Sequence, residues 1–160
     1  TSNVTDMSYM FSVATEFNQD IGDWDTSKVE NMEGMFNSAE SFNQYIGDWD
    51  TSSVENMKSM FNNAKSFDRY IGDWDTGNVN NMEAMFSSAE TFNQDIGGWD
   101  VTSVPNIANM ARMFNNAKNF WQDLSRWCVE KIPDEPAFFN TGAGFQGQGH
   151  LQPKWNQPCT

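Results

Sequence analysis

From Val29 the apolar side chains fall at Val29, Met32, Met35, Phe36 and Ala39, steps of three and four residues that place all five on one face of an α-helix. The pattern returns at Val54, Met57, Met60, Phe61 and Ala64, and again at Val79, Met82, Met85, Phe86 and Ala89. Ser27 with Glu30, and Ser52 with Glu55, stand three apart just before two of these faces, where a Ser can cap a helix start while the Glu reaches back to the cap backbone. Each face therefore predicts a helix. Further along, Ile107, Met110 and Met113 keep the three-residue step, so an extra triplet predicts a helix nearly one turn longer, with Pro105 tolerated in its first turn. Segments such as 41–50 are too short and too interrupted by glycine for a second helix, and each predicts a short strand between turns.

Trp24, Trp49, Trp74 and Trp99 are each 25 residues apart, a period typical of stacked repeats. Four units run 1–25, 26–50, 51–75 and 76–100; a fifth, 101–128, is three residues longer, and 129–160 reads as a non-repeating tail. One unit cannot bury its Met, Phe and Trp side chains alone. Stacking turns each slot into a column, such as Phe17, Phe42, Phe67, Phe92 and Phe120, or Ile21, Ile46, Ile71, Ile96 and Leu124. The fold class predicted is α/β: a right-handed solenoid of about five coils, each one helix and one short strand, closed by the tail as a C-terminal cap with Phe138, Phe139 and Trp155 as plugs. Residues 1–4 align with 26–29, so the first coil has no cap. The expectation is that more coils, another domain or a partner covers it, or that copies self-associate through it.

Charge narrows the function. The chain carries 22 acidic and 9 basic side chains, a formal net charge of −13, which argues against a phosphate-binding, nucleic-acid role. No apolar run approaches the ~18 residues that read as a bilayer span, so membrane insertion is not expected of this segment. Leu, Ile, Val and Phe make up 29 of 160 residues, a content usually read as disorder. Here the repeat overrides composition, because all ten Met and five of the seven Trp residues lie on it.

The string Trp-Asp-Thr-Ser-x-Val-x-Asn-Met-x-x-Met-Phe-x-x-Ala-x-x-Phe-Asn-Gln-x-Ile-Gly, read from Trp24 to Gly47, resembles the BspA-type surface proteins, a divergent leucine-rich-repeat family also found in mycoplasma lipoproteins. The tail resembles the family's ending, with Trp127, Cys128 and Val129, then Ile132 and Pro133, then Pro153, Trp155 and Cys159. The resemblance implies leucine-rich-repeat-like coils and a secreted or cell-surface protein used in adhesion or partner binding, not an enzyme. Two cysteines in an exported chain read most simply as a disulfide, Cys128 to Cys159, pinning the tail. The alternative, a zinc site with His150, needs two further ligands at no usual spacing. Asn3 opens a glycosylation sequon, which matters only for an exported eukaryotic chain.

Several columns carry candidate chemistry. Asp25, Asp50, Asp75 and Asp100 form one acidic column, and Asp23, Asp48 and Asp73 another that stops at Gly98. Each Asp either accepts backbone N–H bonds in its turn or, the sharper alternative, the columns hold calcium between coils. Asn18, Asn43, Asp68 and Asn93 read as an internal hydrogen-bonded ladder that ends at Trp121. Glu40, Lys65, Glu90 and Lys118 alternate in sign as a surface column. Slots that vary between coils mark the exposed side, and one of them holds Asp20, Tyr45, Tyr70 and Asp95 beside Arg69. Tyr45, Arg69, Tyr70, Asp20 and Asp95 are therefore the candidate contact face, set against the alternative of a plain solvated surface. The one His lies near a Gly-rich stretch without phosphate-loop spacing, and the acids are duplicated coil by coil, whereas catalysis needs two acids in different environments. No catalytic residue and no metal site is assigned. The leading expectation is an extracellular adhesion module for a protein or glycan on another cell, matrix or filament; the alternative is a structural spacer or filament subunit stacking end to end, in either case possible in a calcium-stabilised form.

Overall fold

The helix predicted over Val29 to Ala39 fails on its backbone. In the computed structural model, which describes residues 1–159, Gly34 and Ser38 both take left-handed φ values of 58°. The pair recurs in every coil, at Tyr9 and Val13, Ser59 and Asn63, Ala84 and Ser88, and Arg112 and Asn116. No α-helix accommodates a left-handed residue every turn. The amides divide accordingly. Met35, Asn37 and Ala39 donate to the carbonyls of Met32, Gly34 and Phe36, closing turns, while Met32, Gly34, Phe36 and Ser38 donate to Asn56, Lys58, Met60 and Asn62 of the next coil. The backbone is a zigzag of turns, and its three- and four-residue steps still turn Met32, Met35, Phe36 and Ala39 fully inward.

The rest of the predicted coil is corrected in the same way. Ser27 is no helix cap: its N–H and hydroxyl both donate to Asp25, and Glu30 donates its N–H to Thr5 of the preceding coil. Segment 41–50 forms no strand. Among the described residues parallel pairing is confined to isolated bridges joining Asp6, Asn31, Asn56 and Asn81, at the start of the supposed helix. The inserted triplet lengthens no helix; it forms a single 3-10 turn, Ile107–Met110, whose N-terminus the Asn106 side chain caps. A second such turn, Gly149–Leu151, is the only other regular element among the described residues. The chain is thus not an α/β stack of helices and strands but a stack of turn-built coils.

Ladders fill the interior. Phe36, Phe61, Phe86 and Phe114 repeat with ring centroids 5.6–5.7 Å apart, beside Phe42, Phe67, Phe92 and Phe120 at 5.8–6.0 Å. Within each coil the two rings lie 4.0–4.3 Å apart. Polar clips fix the register of this apolar stack. Trp49, Trp74, Trp99 and Trp127 donate their indole N–H to Ile21, Ile46, Ile71 and Ile96 of the coil before. On the other side, the buried hydroxyls of Thr26, Thr51 and Thr76 donate forward to the carbonyls of Asp50, Asp75 and Asp100. Among the described residues no buried side-chain nitrogen or oxygen lacks a partner.

Part of the tail follows the coil path. Phe138 and Gly142 repeat the left-handed pair, and Arg112, Phe114 and Asn116 donate to Ala137, Phe139 and Thr141 as each earlier coil donates to the next. Val129 and Ile132 close the same turn as Val101 and Val104. Of the three side chains predicted as plugs, Phe139 is buried and Trp155 packs edge-on against it at 5.1 Å, whereas Phe138 is 57% exposed beneath the Arg112 guanidinium.

Candidate binding face

Segment 41–50 and its counterparts lack a strand because side chains replace the backbone ladder. The Asn18 side-chain carbonyl accepts the Asn43 N–H, Asn43 that of Asp68, Asp68 that of Asn93, and Asn93 that of Trp121, at 2.8–3.1 Å. The next column reinforces this. Gln44, Arg69, Gln94 and Gln122 each reach back and donate to the main-chain carbonyl one coil earlier, at Asn18, Asn43, Asp68 and Asn93. Trp121 itself ends the ladder with 51% of its surface exposed.

On this frame the structure places Asp20, Tyr45, Tyr70 and Asp95 in consecutive coils. Glycine makes the column possible: a Cβ on Gly47 would lie 2.7 Å from the Tyr70 carbonyl and 2.8 Å from the Tyr45 ring, and one on Gly72 would meet Asp95 and the Tyr70 ring as closely. Each ring therefore lies flat on its own turn. Tyr45 and Tyr70 remain 47% and 42% exposed, and each donates its hydroxyl to a carboxylate, Asp48 or Asp73, at 3.0 Å. That bond holds both phenols above their ordinary pKa, since ionisation would set phenolate against carboxylate. Asp20 and Asp95 accept the N–H of Gly22 and Gly97 and rim the pair. Arg69 joins the same surface with its Nε committed to Asn43. Asp48 and Asp73 thus belong to the face beside the five residues expected from slot variation. The signal was present: Tyr45 and Tyr70 are each followed three residues later by Asp, a spacing one turn closes.

The other acidic column is tied into its turns. One oxygen each of Asp25 and Asp50 accepts both the N–H and the hydroxyl of Ser27 and Ser52, Asp100 accepts the same pair from Thr102, and Asp75 accepts the Gly77 N–H. These bonds pull the Asp25 and Asp50 carboxyls below the usual aspartate range, the serine hydroxyl acting most strongly. Elsewhere on the coils Lys65 pairs with Glu40 and Lys118 with Glu90, at 2.9 and 3.1 Å. Tyr9 donates to Glu33, and Lys58 pairs with Glu83 along a neighbouring column.

Cys128 and Cys159 form a disulfide, which spends both sulfurs and overturns the zinc alternative with His150, although the Glu130 carboxylate is also close. Next to it, a cleft of about 190 Å³ opens between the fifth coil and the tail, lined by Val101, Val104, Val129 and Ile132 with Glu130 and Lys131 at its edge. No helix of the described residues is long and apolar enough to cross a membrane. No curated protein and no solved structure matches the chain. Residues 1–69 and 44–155 match the family described as Mycoplasma protein of unknown function, DUF285, and the chain belongs to that family.

Proposed function

We propose that the protein is a non-catalytic binding module, exported or displayed at a cell surface, that attaches through the face built on Tyr45 and Tyr70 to a protein or glycan partner. The observation that carries this reading is the rigid mounting of two half-exposed tyrosines on adjacent coils, each ring seated on a glycine turn and tethered by its hydroxyl. Tyr is favoured at binding hot spots because it offers a large amphipathic surface with little conformational entropy to lose. A disulfide suits an oxidising, extracytoplasmic setting, and the repeat string's likeness to BspA-type surface proteins points the same way. The test is attachment of chain-coated beads to cultured cells and to matrix. Tyr45→Ala with Tyr70→Ala abolishes attachment while leaving the melting temperature nearly unchanged, because neither side chain supports the core; attachment that persists in this variant sinks the reading.

A further inference from the structure

The reading above leaves the ligand's chemistry open, and the hydrogen bonds around the tyrosine pair narrow it. Resting on that reading, we infer that this face takes a cationic side chain, so that its partner is an extended, basic segment of another protein. The first ground is an inventory of donors. Gln44, Gln94 and Gln122 turn their amide N–H groups into the stack, and Arg69 commits its Nε there, leaving only its terminal nitrogens facing outward. The tyrosine hydroxyls are already donated to Asp48 and Asp73. Apart from those Arg69 nitrogens, what the surroundings of the two rings offer is carbonyl and carboxylate oxygen and two aromatic ring faces, all of which accept positive charge. A phosphate or sulfate needs several donors, whereas a sugar's hydroxyls can donate to these oxygens, so the inventory turns away anions and charge must decide between a sugar and a cation.

The second ground is charge complementarity. Asp48, Asp73 and Asp95 lie close to the rings, with Asp20 and Asp23 at the matching positions one coil earlier, against two cations, Arg69 and the Arg126 that stands beside Asp95, within a chain of net charge −13. The field draws polycations in and keeps polyanions out. Geometry supplies the third. The two rings sit one coil apart in a column, so an extended segment running along the stack can lay successive Arg or Lys side chains over Tyr45 and Tyr70. An exposed cation–aromatic contact contributes roughly 0.5–1 kcal/mol, so removing both rings corresponds to a loss of about tenfold in affinity.

The experiment uses the whole chain and three probes: an oligo-arginine peptide, an oligo-glutamate peptide of equal length, and a neutral cello-oligosaccharide, each titrated while tyrosine ring resonances are followed. The expected result is saturable binding of oligo-arginine alone, shifting the Tyr45 and Tyr70 signals. Affinity then falls about tenfold in Tyr45→Ala with Tyr70→Ala, and is largely kept in Tyr45→Phe with Tyr70→Phe, which retain the rings. Glu30→Gln with Glu55→Gln, exposed acids elsewhere on the coils, serves as the control for diffuse attraction. Oligo-arginine that binds the tyrosine-free variant as tightly as the parent overturns the inference. Oligosaccharide that binds through the tyrosines while oligo-arginine does not also overturns it, and leaves the attachment face standing. If no probe binds, the cationic ligand is refuted, and bead attachment judges the face separately.

Discussion

From the second coil to the fourth the core contacts repeat by translation; between the fifth coil and residues 129–151 the backbone bonds of Arg112, Phe114 and Asn116 persist while the ring stack and the hydroxyl clip are replaced. The inner coils stack their phenylalanines within 6–10° of parallel, whereas Phe139 and Phe145 stand at 82° and 85° to Phe114. Thr26, Thr51 and Thr76 clip coil to coil through buried hydroxyls, but the next residue in that slot is Val101, which has none, and there the apolar cleft opens. The bridge column ends at Asn81 and gives way to the 3-10 turn. The contrast shows what a repeat stack must change to stop. A ring lying flat presents an equivalent face to the next layer, while one standing on edge offers no parallel surface on which to continue. At this last layer, a covalent link replaces the lost clips.

The largest expected effect comes from breaking the inner regularity. Phe61 is fully buried and stacks on Phe36, Phe67 and Phe86. Phe61→Ala costs about 3–5 kcal/mol of unfolding free energy by denaturant titration, because rigid coils on both sides cannot collapse into the cavity. A loss below about 1.5 kcal/mol would mean that the coils slide together, and that the stack is softer than its hydrogen bonds imply.

This same inward column was legible in the sequence, and the backbone that carries it was not. Val29, Met32, Met35, Phe36 and Ala39 are all buried as their spacing requires. Yet a train of turns with left-handed residues at Gly34 and Ser38 produces the same three- and four-residue steps as a helix. Apolar periodicity records which side chains point inward, not which hydrogen bonds bring them there. The left-handed slots could have raised suspicion: they hold Gly34, Ser38, Asn63 and Ser88, but also Tyr9, Val13 and Arg112, so composition alone marks them weakly. The tail's coil-like path was hidden because its spacing shifts by one and Asn140 follows Phe139 where earlier coils have Phe after Met. Of the binding face, the tyrosine column was readable from slot variation. The inward turn of Arg69 was not, since that depends on the distance to the Asn43 carbonyl.

At the terminal layer the next effect is smaller. Cys128→Ser with Cys159→Ser reopens a link across 31 residues, and loop-closure entropy assigns it about 3.5 kcal/mol. The loss is expected to be local: amide exchange accelerates in 129–159 and stays slow at Phe61 and Phe86. Uniform acceleration through the inner coils would instead make the last layer the keystone of the whole stack. The hydroxyl column gives a finer comparison. Thr51→Val removes one buried donor and leaves the Asp75 carbonyl without it, for a loss of about 1 kcal/mol and a melting temperature lower by about 2–4 °C. Val101→Thr makes the opposite change at the cleft. A gain in stability there would show that the missing clip is what opens it, while a loss would assign the cleft to the shape of the tail.

The smallest effects are those of pH, and they separate the two acidic columns. Asp25 and Asp50 have carboxyls lowered below 3.8 by their serine partners, so the folded chain holds fewer protons there than the unfolded one. Their contribution is fully present above 3.8 and is lost as pH falls through the lower folded value. Tyr45 and Tyr70 behave in the opposite sense. Their phenols are raised above 10.0 by the bonds to Asp48 and Asp73, so that contribution is present below 10.0 and disappears as pH rises through the higher folded value. Tyrosinate absorbance during an alkaline titration reads the second set directly. Asp48→Asn with Asp73→Asn brings two of the three tyrosine midpoints back towards 10.0 and leaves Tyr9, which is bonded to Glu33, where it was. Midpoints that do not move would mean that Asp48 and Asp73 do not hold the rings in solution, and that the face lacks the fixed geometry on which its proposed selectivity depends.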